Sequence, residues 1–218
     1  MAPPTAAELL SYSTQRNVAD NVAIFSINGK VYTVPESLPP DTSLNTYIRN
    51  HARLKGTKFM CREGGCGACI VTLKFTHPVS HRQNTLAVNS CLFPVFSCHG
   101  MAITTIEGIG NKKSGYDKIQ SRLANFNGSQ CGYCSPGWVM NMYSLLKSQS
   151  SLTMRNIEDS FGGNICRCTG YRPILDAFKS FASDASKDLK QQVADIEDVL
   201  KICPNSGTQC YGKCASKK

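Results

Sequence analysis

At 218 residues, with 41% hydrophobic and 18% charged positions, the chain has an ordinary globular composition and room for one large or two small domains. No run approaches the roughly 18 apolar residues of a membrane helix. The opening MAPPTAAELLSYSTQRN has neither the basic nor the apolar stretch of a secretory signal, so the expected compartment is cytoplasmic. The formal charge of +9 is scattered, with no basic run beyond Lys112-Lys113 and Lys217-Lys218, which argues against a nucleic-acid partner. Twelve cysteines are the outlier. In a reducing compartment they point to metal ligation or redox chemistry rather than to a disulfide scaffold.

Residues 1–20 lack periodicity and read as a loose leader. Val22–Ile27 and Lys30–Val34 flank Asn28-Gly29, the pair that suits a type I′ hairpin turn. After Pro35, Pro39 and Pro40, one of Asp41, Thr42 or Ser43 caps a short helix whose apolar face carries Leu44, Tyr47, Ile48 and Leu54. A glycine-rich cysteine loop leads into a strand at Ile70–Phe75, with Val71, Leu73 and Phe75 on one face. A polar loop at Ser80–Thr85, then Leu86–Cys91, precedes a short strand at Met101–Ile106. Strands with a single helix predict a small α+β unit, ending near Glu107–Lys113.

From there the pattern is helical. Tyr116–Phe126 forms one helix. Ser135-Pro136 starts a second that carries Trp138, Met142, Leu145 and Leu146. Thr153 caps a third that stops at Gly162-Gly163, and Pro173 opens a fourth with Ile174, Phe178 and Phe181 on one face. Four helices in this span predict a small bundle. Leu189, Val193, Ile196 and Leu200 form a further stripe before a tail. The predicted divisions are therefore a leader at 1–20, an α+β domain at 21–107, a helical domain at 108–185 and a helix with tail at 186–218.

Eight cysteines fall into two sets. Cys61, Cys66, Cys69 and Cys91 give C-x₄-C-x₂-C-x₂₁-C, whose first triple is the plant-type [2Fe-2S] spacing. One loop presents three thiolates, and a distant residue closes the far side. Gly64, Gly65 and Gly67 let the backbone turn N–H groups toward sulfur, which favours an anionic cluster. Cys98, seven residues past Cys91, competes for the fourth place on spacing alone; Cys98-His99 lacks the second pair of a Rieske site.

Cys131, Cys134, Cys166 and Cys168 give C-x₂-C-x₃₁-C-x-C, each pair just ahead of a helix start marked by Pro136 or Pro173. Two helix N-termini would then face one anionic group. A structural Cys₄ zinc site is the alternative for either set, and a thioredoxin-type pair at Cys131/Cys134 is disfavoured for want of a preceding βαβ pattern. Cys203, Cys210 and Cys214 sit in a Gly/Ser/Lys tail that reads as a tether with incidental thiols.

Taken together, CREGGCGAC, NSCLFP, QCGYCSPG and GNICRCTGYRPI resemble the iron–sulfur region of the molybdenum hydroxylases, the xanthine dehydrogenases and aldehyde oxidases, from about Val22 to Phe181. TKFMCREGGCGAC, with Met60 and Arg62, looks closer to an animal, insect-type aldehyde oxidase. The resemblance implies a β-grasp ferredoxin domain followed by an all-α four-helix domain, each with one [2Fe-2S] cluster. It implies that Cys61, Cys66, Cys69 and Cys91 ligate the first cluster, and Cys131, Cys134, Cys166 and Cys168 the second, which leaves Cys98 a buried free thiol. Gln130 matches a glutamine that contacts molybdopterin. The implied role is to relay single electrons from a molybdenum centre to FAD, with flavin and molybdenum domains as partners in a homodimeric enzyme. The chain shows no dinucleotide fingerprint or molybdopterin cradle and stops in what looks like a linker, so it is not expected to be catalytic alone. A redox sensor or adaptor is the competing functional class.

Overall fold

The computed structural model describes residues 22–191. The leader, Val193–Leu200 of the last predicted stripe, and Cys203, Cys210 and Cys214 lie outside them. The fold is α+β, a mixed sheet followed by helices.

Strands β1 (Ile24–Ile27) and β2 (Lys30–Thr33) form the predicted hairpin, with Asn28 at φ 51° and Gly29 at φ 82°, the two positive values that the type I′ turn requires. Helix α1 (Leu44–Asn50) is capped by Ser43, whose side chain accepts from the Thr46 N–H. Strands β3 (Ile70–Thr76), β4 (Gln83–Asn89) and β5 (Ala102–Thr104) complete a five-stranded sheet in the order β2-β1-β5-β3-β4. Only β1 and β5 pair in parallel. Leu44, Tyr47 and Ile48 pack with Phe25, Ile27, Val71, Leu73 and Ile103 in one core. Burying each such side chain contributes about 1.5–3 kcal/mol before entropy is counted.

Two boundaries and one burial pattern differ from expectation. Strand β4 begins at Gln83, inside the predicted polar loop, because it pairs along all of β3 from Ile70↔Asn89 to Thr76↔Gln83; cross-strand pairing outweighs its polarity. Strand β5 stops at Thr104. Thr105 donates its N–H to Asn28 Oδ1 (2.9 Å) rather than to a strand, and the chain turns into α2 (Ile106–Ile109). On β3, Ile70 and Thr72 are buried as well as Val71 and Leu73, so both faces of its first half are covered.

The helical half holds α3 (Lys118–Asn125), α4 (Ser135–Ser148), α5 (Met154–Asp159), α6 (Arg172–Lys179) and the short α7 (Lys187–Gln191). Capping boxes start α3 (Asp117 with Gln120) and α5 (Thr153 with Asn156). Helix α5 ends at Asp159, before the predicted Gly162-Gly163 stop, and those glycines lead toward the next cysteines. The core of this half is aromatic. Trp138 stacks on Phe161 at 4.9 Å between centroids and Phe161 on Phe178 at 5.1 Å, ringed by Ile119, Leu123, Ile157 and Ile174. Among the described residues no helix is long and apolar enough to cross a membrane.

Candidate metal centres

The loop Cys61–Cys69 joins α1 to β3, and its first three thiols are gathered by backbone. The Glu63 N–H points at Cys61 Sγ (3.4 Å), joined there by the N–H groups of Cys66 and Gly65. These donors, with Glu63 the strongest and the Cys66 thiol next, bring the Cys61 thiol down to about 7. The predicted convergence of N–H groups on sulfur is thus present. Gly64 and Gly67 hold φ of +78° and +69°, the left-handed region, whereas Gly65 has open space around it and no such requirement.

Cys91 reaches the loop from the end of β4. Its thiol and its N–H both face Cys69 Sγ, and burial pushes the Cys69 thiol up to about 12. Neighbours that the motif spacing does not reveal brace this arrangement. Asn89 Nδ2 donates to Gly64 O (3.0 Å), and Ser90 Oγ donates to Cys69 O (2.6 Å). Ser90 and Asn45 are buried and bonded to each other at 3.1 Å. Only a side chain's position in the folded sheet marks it for this role. Cys98 is fully buried at the end of a 3₁₀ turn (Val95–Cys98), 3.7 Å from Pro94 O, and does not join the set.

The second set is assembled by helix packing. Cys134 is the residue before α4, with Pro136 in its first turn. Cys166 and Cys168 precede α6, separated from it by a turn in which Tyr171 adopts φ 71°. The free thiols of Cys134 and Cys166 share a hydrogen bond, and so do those of Cys131 and Cys168. Burial pushes the Cys134 thiol up to about 12. Burial also opposes ionisation of Cys166, but donors from Thr169, whose Oγ1 is 3.1 Å from sulfur, and from Cys168 and Cys134 outweigh it and lower its pKa. The bond with Cys131 raises the pKa of the exposed Cys168. Gln130, exposed, stands beside the exposed Cys131. Cys134 thus neighbours both Cys166 of the other segment and Cys131 of its own.

Among the described residues no group of three or more His, Cys, Asp or Glu is spaced to hold a single metal ion. The cysteines themselves fall into two quartets, Cys61, Cys66, Cys69 and Cys91, and Cys131, Cys134, Cys166 and Cys168, within each of which the thiols neighbour one another. Four cysteine thiolates are the donor set of a two-iron cluster.

Two family models match the same two regions: residues 25–95 a "2Fe-2S iron-sulfur cluster binding domain" and residues 105–179 a "[2Fe-2S] binding domain". A xanthine dehydrogenase of Drosophila subobscura is 48% identical over 166 residues, 76% of this chain and 12% of that protein. By sequence, this chain belongs with the iron–sulfur region of the xanthine dehydrogenases and aldehyde oxidases. Aldehyde oxidase 1 of Oryctolagus cuniculus is 45% identical over 158 residues, 72% of this chain and again 12% of the relative. The two identities are close. The solved quinoline 2-oxidoreductase of Pseudomonas putida 86 superposes with a TM-score of 0.61 at 25% identity, covering 79% of this chain and 98% of that one. The chain spans about 12% of the length of the Drosophila and Oryctolagus relatives.

Proposed function

We propose that this chain is the electron-transfer part of a molybdenum hydroxylase, standing between a molybdenum-cofactor centre and FAD. Cys61, Cys66, Cys69 and Cys91 hold one [2Fe-2S] cluster; Cys131, Cys134, Cys166 and Cys168 hold the other. The observation that carries the reading is the pairing of thiols into two separate quartets, one in each matched [2Fe-2S] region. The sheet order with α1 beneath it supports a β-grasp domain over residues 21–107, and α3 to α6 support a four-helix domain over 108–185.

When bound, such clusters accept and release single electrons. The chain's own residues do the rest. Backbone N–H groups at Cys61 and Cys166 favour thiolate over thiol, so ligation releases protons at modest cost there. Burial of Cys66, Cys69 and Cys166 keeps water from those sulfurs. The exposed rim at Gln130, Cys131 and Cys168 is where a molybdopterin-bearing domain would meet the second quartet, with Gln130 as its contact. Flavin and molybdenum domains are the proposed partners, in a cytoplasmic homodimer, and substrate oxidation belongs to those domains.

The test is metal and spectrum. Anaerobically purified protein should be brown, carry about four irons and four acid-labile sulfides per chain, and give two distinct EPR signals on reduction. Stoichiometric zinc in a colourless protein would overturn the reading.

A further inference from the structure

The two quartets lie on either side of a seam whose closest contacts are backbone against backbone. Gly137, in the first turn of α4 and three residues past Cys134, lies against the Gly67 carbonyl. A Cβ on Gly137 would overlap that oxygen and come within 3.0 Å of the Ala68 Cα. A Cβ on Gly67 would meet Gly163 O and Asn164 Nδ2, each at 2.6 Å. Gly67 and Ala68 are the two residues between Cys66 and Cys69; Gly163 and Asn164 run up to Cys166.

Hydrogen bonds then pin the seam. Ile165 N–H donates to Cys66 O at 2.9 Å, joining a residue beside one quartet to a member of the other. Asn164, 4% exposed, donates through Nδ2 to Gly67 O (3.4 Å) and is held by Asn141 Nδ2 on its Oδ1 (2.7 Å). Farther out, Thr72 Oγ1 donates to Met140 O and Tyr133 Oη to Phe59 O. Backbone atoms have no rotamers with which to yield, so an added methyl must move α4 as a body.

We infer that the Gly67–Gly137 contact, pinned by Asn164, fixes the separation and orientation of the two quartets. Gly137 and Asn164 are then positioning residues for electron passage between the clusters, an inference that rests on the cluster reading above. Neither residue belongs to a thiol quartet; they set how far one quartet stands from the other.

The test compares Gly137→Ala and Asn164→Ala with Gly162→Ala, whose Cβ meets only open space. In reduced protein with full iron, the splitting that through-space coupling between the clusters imposes on their EPR signals should change in Gly137→Ala, change less in Asn164→Ala and keep its wild-type value in Gly162→Ala. An iron-independent readout is exchange of the Ile165 amide, expected to quicken roughly tenfold in Gly137→Ala and not in Gly162→Ala. Unchanged splitting and unchanged Ile165 exchange in Gly137→Ala would overturn the inference. If Gly137→Ala does not fold, an Asn164→Ala protein with wild-type splitting and exchange overturns it as well. A wild-type protein without iron would fail the cluster reading instead, while the exchange comparison still decides the seam.

Discussion

The two thiol quartets are built in opposite ways. Three members of the first come from one loop, Cys61–Cys69, whose backbone donors converge on Cys61 and whose Gly64 and Gly67 are left-handed. The second joins pairs separated by 31 residues, and nothing local brings Cys134 to Cys166. What does so is the aromatic core of Trp138, Phe161 and Phe178, which locks the helices that carry the two segments. The first site is therefore mostly local, with Cys91 alone supplied from a distance, and the second is wholly a product of the fold. The second is also more open, with Cys131 and Cys168 exposed where Cys66 and Cys69 are buried.

That contrast yields an ordered set of predictions. The largest effect should come from Cys134→Ser, which removes a ligand of the fold-dependent quartet. Iron should fall from about four to about two per chain, with one EPR signal left and the sheet domain still folded. Loss of both signals would show that the two sites do not assemble independently.

Next, Trp138→Ala should cost about 3–5 kcal/mol, since Trp138 is 1% exposed at the centre of the helical core. Denaturant titration read alongside each cluster's spectrum should show the second site lost well before the first. Simultaneous loss would mean that the seam, rather than the aromatic core, governs the second site.

Ser90→Ala probes the single distant ligand of the first quartet. It removes the donor to Cys69 O and a partner of Asn45, at a cost of about 1–3 kcal/mol. Here the first EPR signal should broaden or weaken while the second is untouched.

The smallest effect concerns pH. Burial pushes the Cys98 thiol from 9.0 up to about 12, so the folded chain holds a proton there that the unfolded chain releases. Stability tied to this thiol is complete below pH 9 and is lost as pH rises through about 12. Cys98→Val should flatten that alkaline decline in an unfolding series between pH 9 and 12, and should leave iron content unchanged.

Much of this protein was legible before folding was considered. The hairpin at Asn28-Gly29, a cap within 41–43 and the starts of α4, α5 and α6 follow from local chemistry: turn dihedrals, capping oxygens and first-turn prolines. Cysteine spacing marked Cys61, Cys66 and Cys69 as one set, whereas the family resemblance, and not spacing, selects Cys91 over Cys98. Tertiary contacts decided the rest. Strand β4 is polar in sequence and exists only because β3 supplies its hydrogen bonds. Asn89, Ser90 and Asn164 lie within the NSCLFP and GNICRCTGYRPI stretches, but their roles come from carbonyls brought to them across the fold. Spacing along a chain groups the thiols of one loop, but packing between distant segments determines which others join them and how far apart two sites stand.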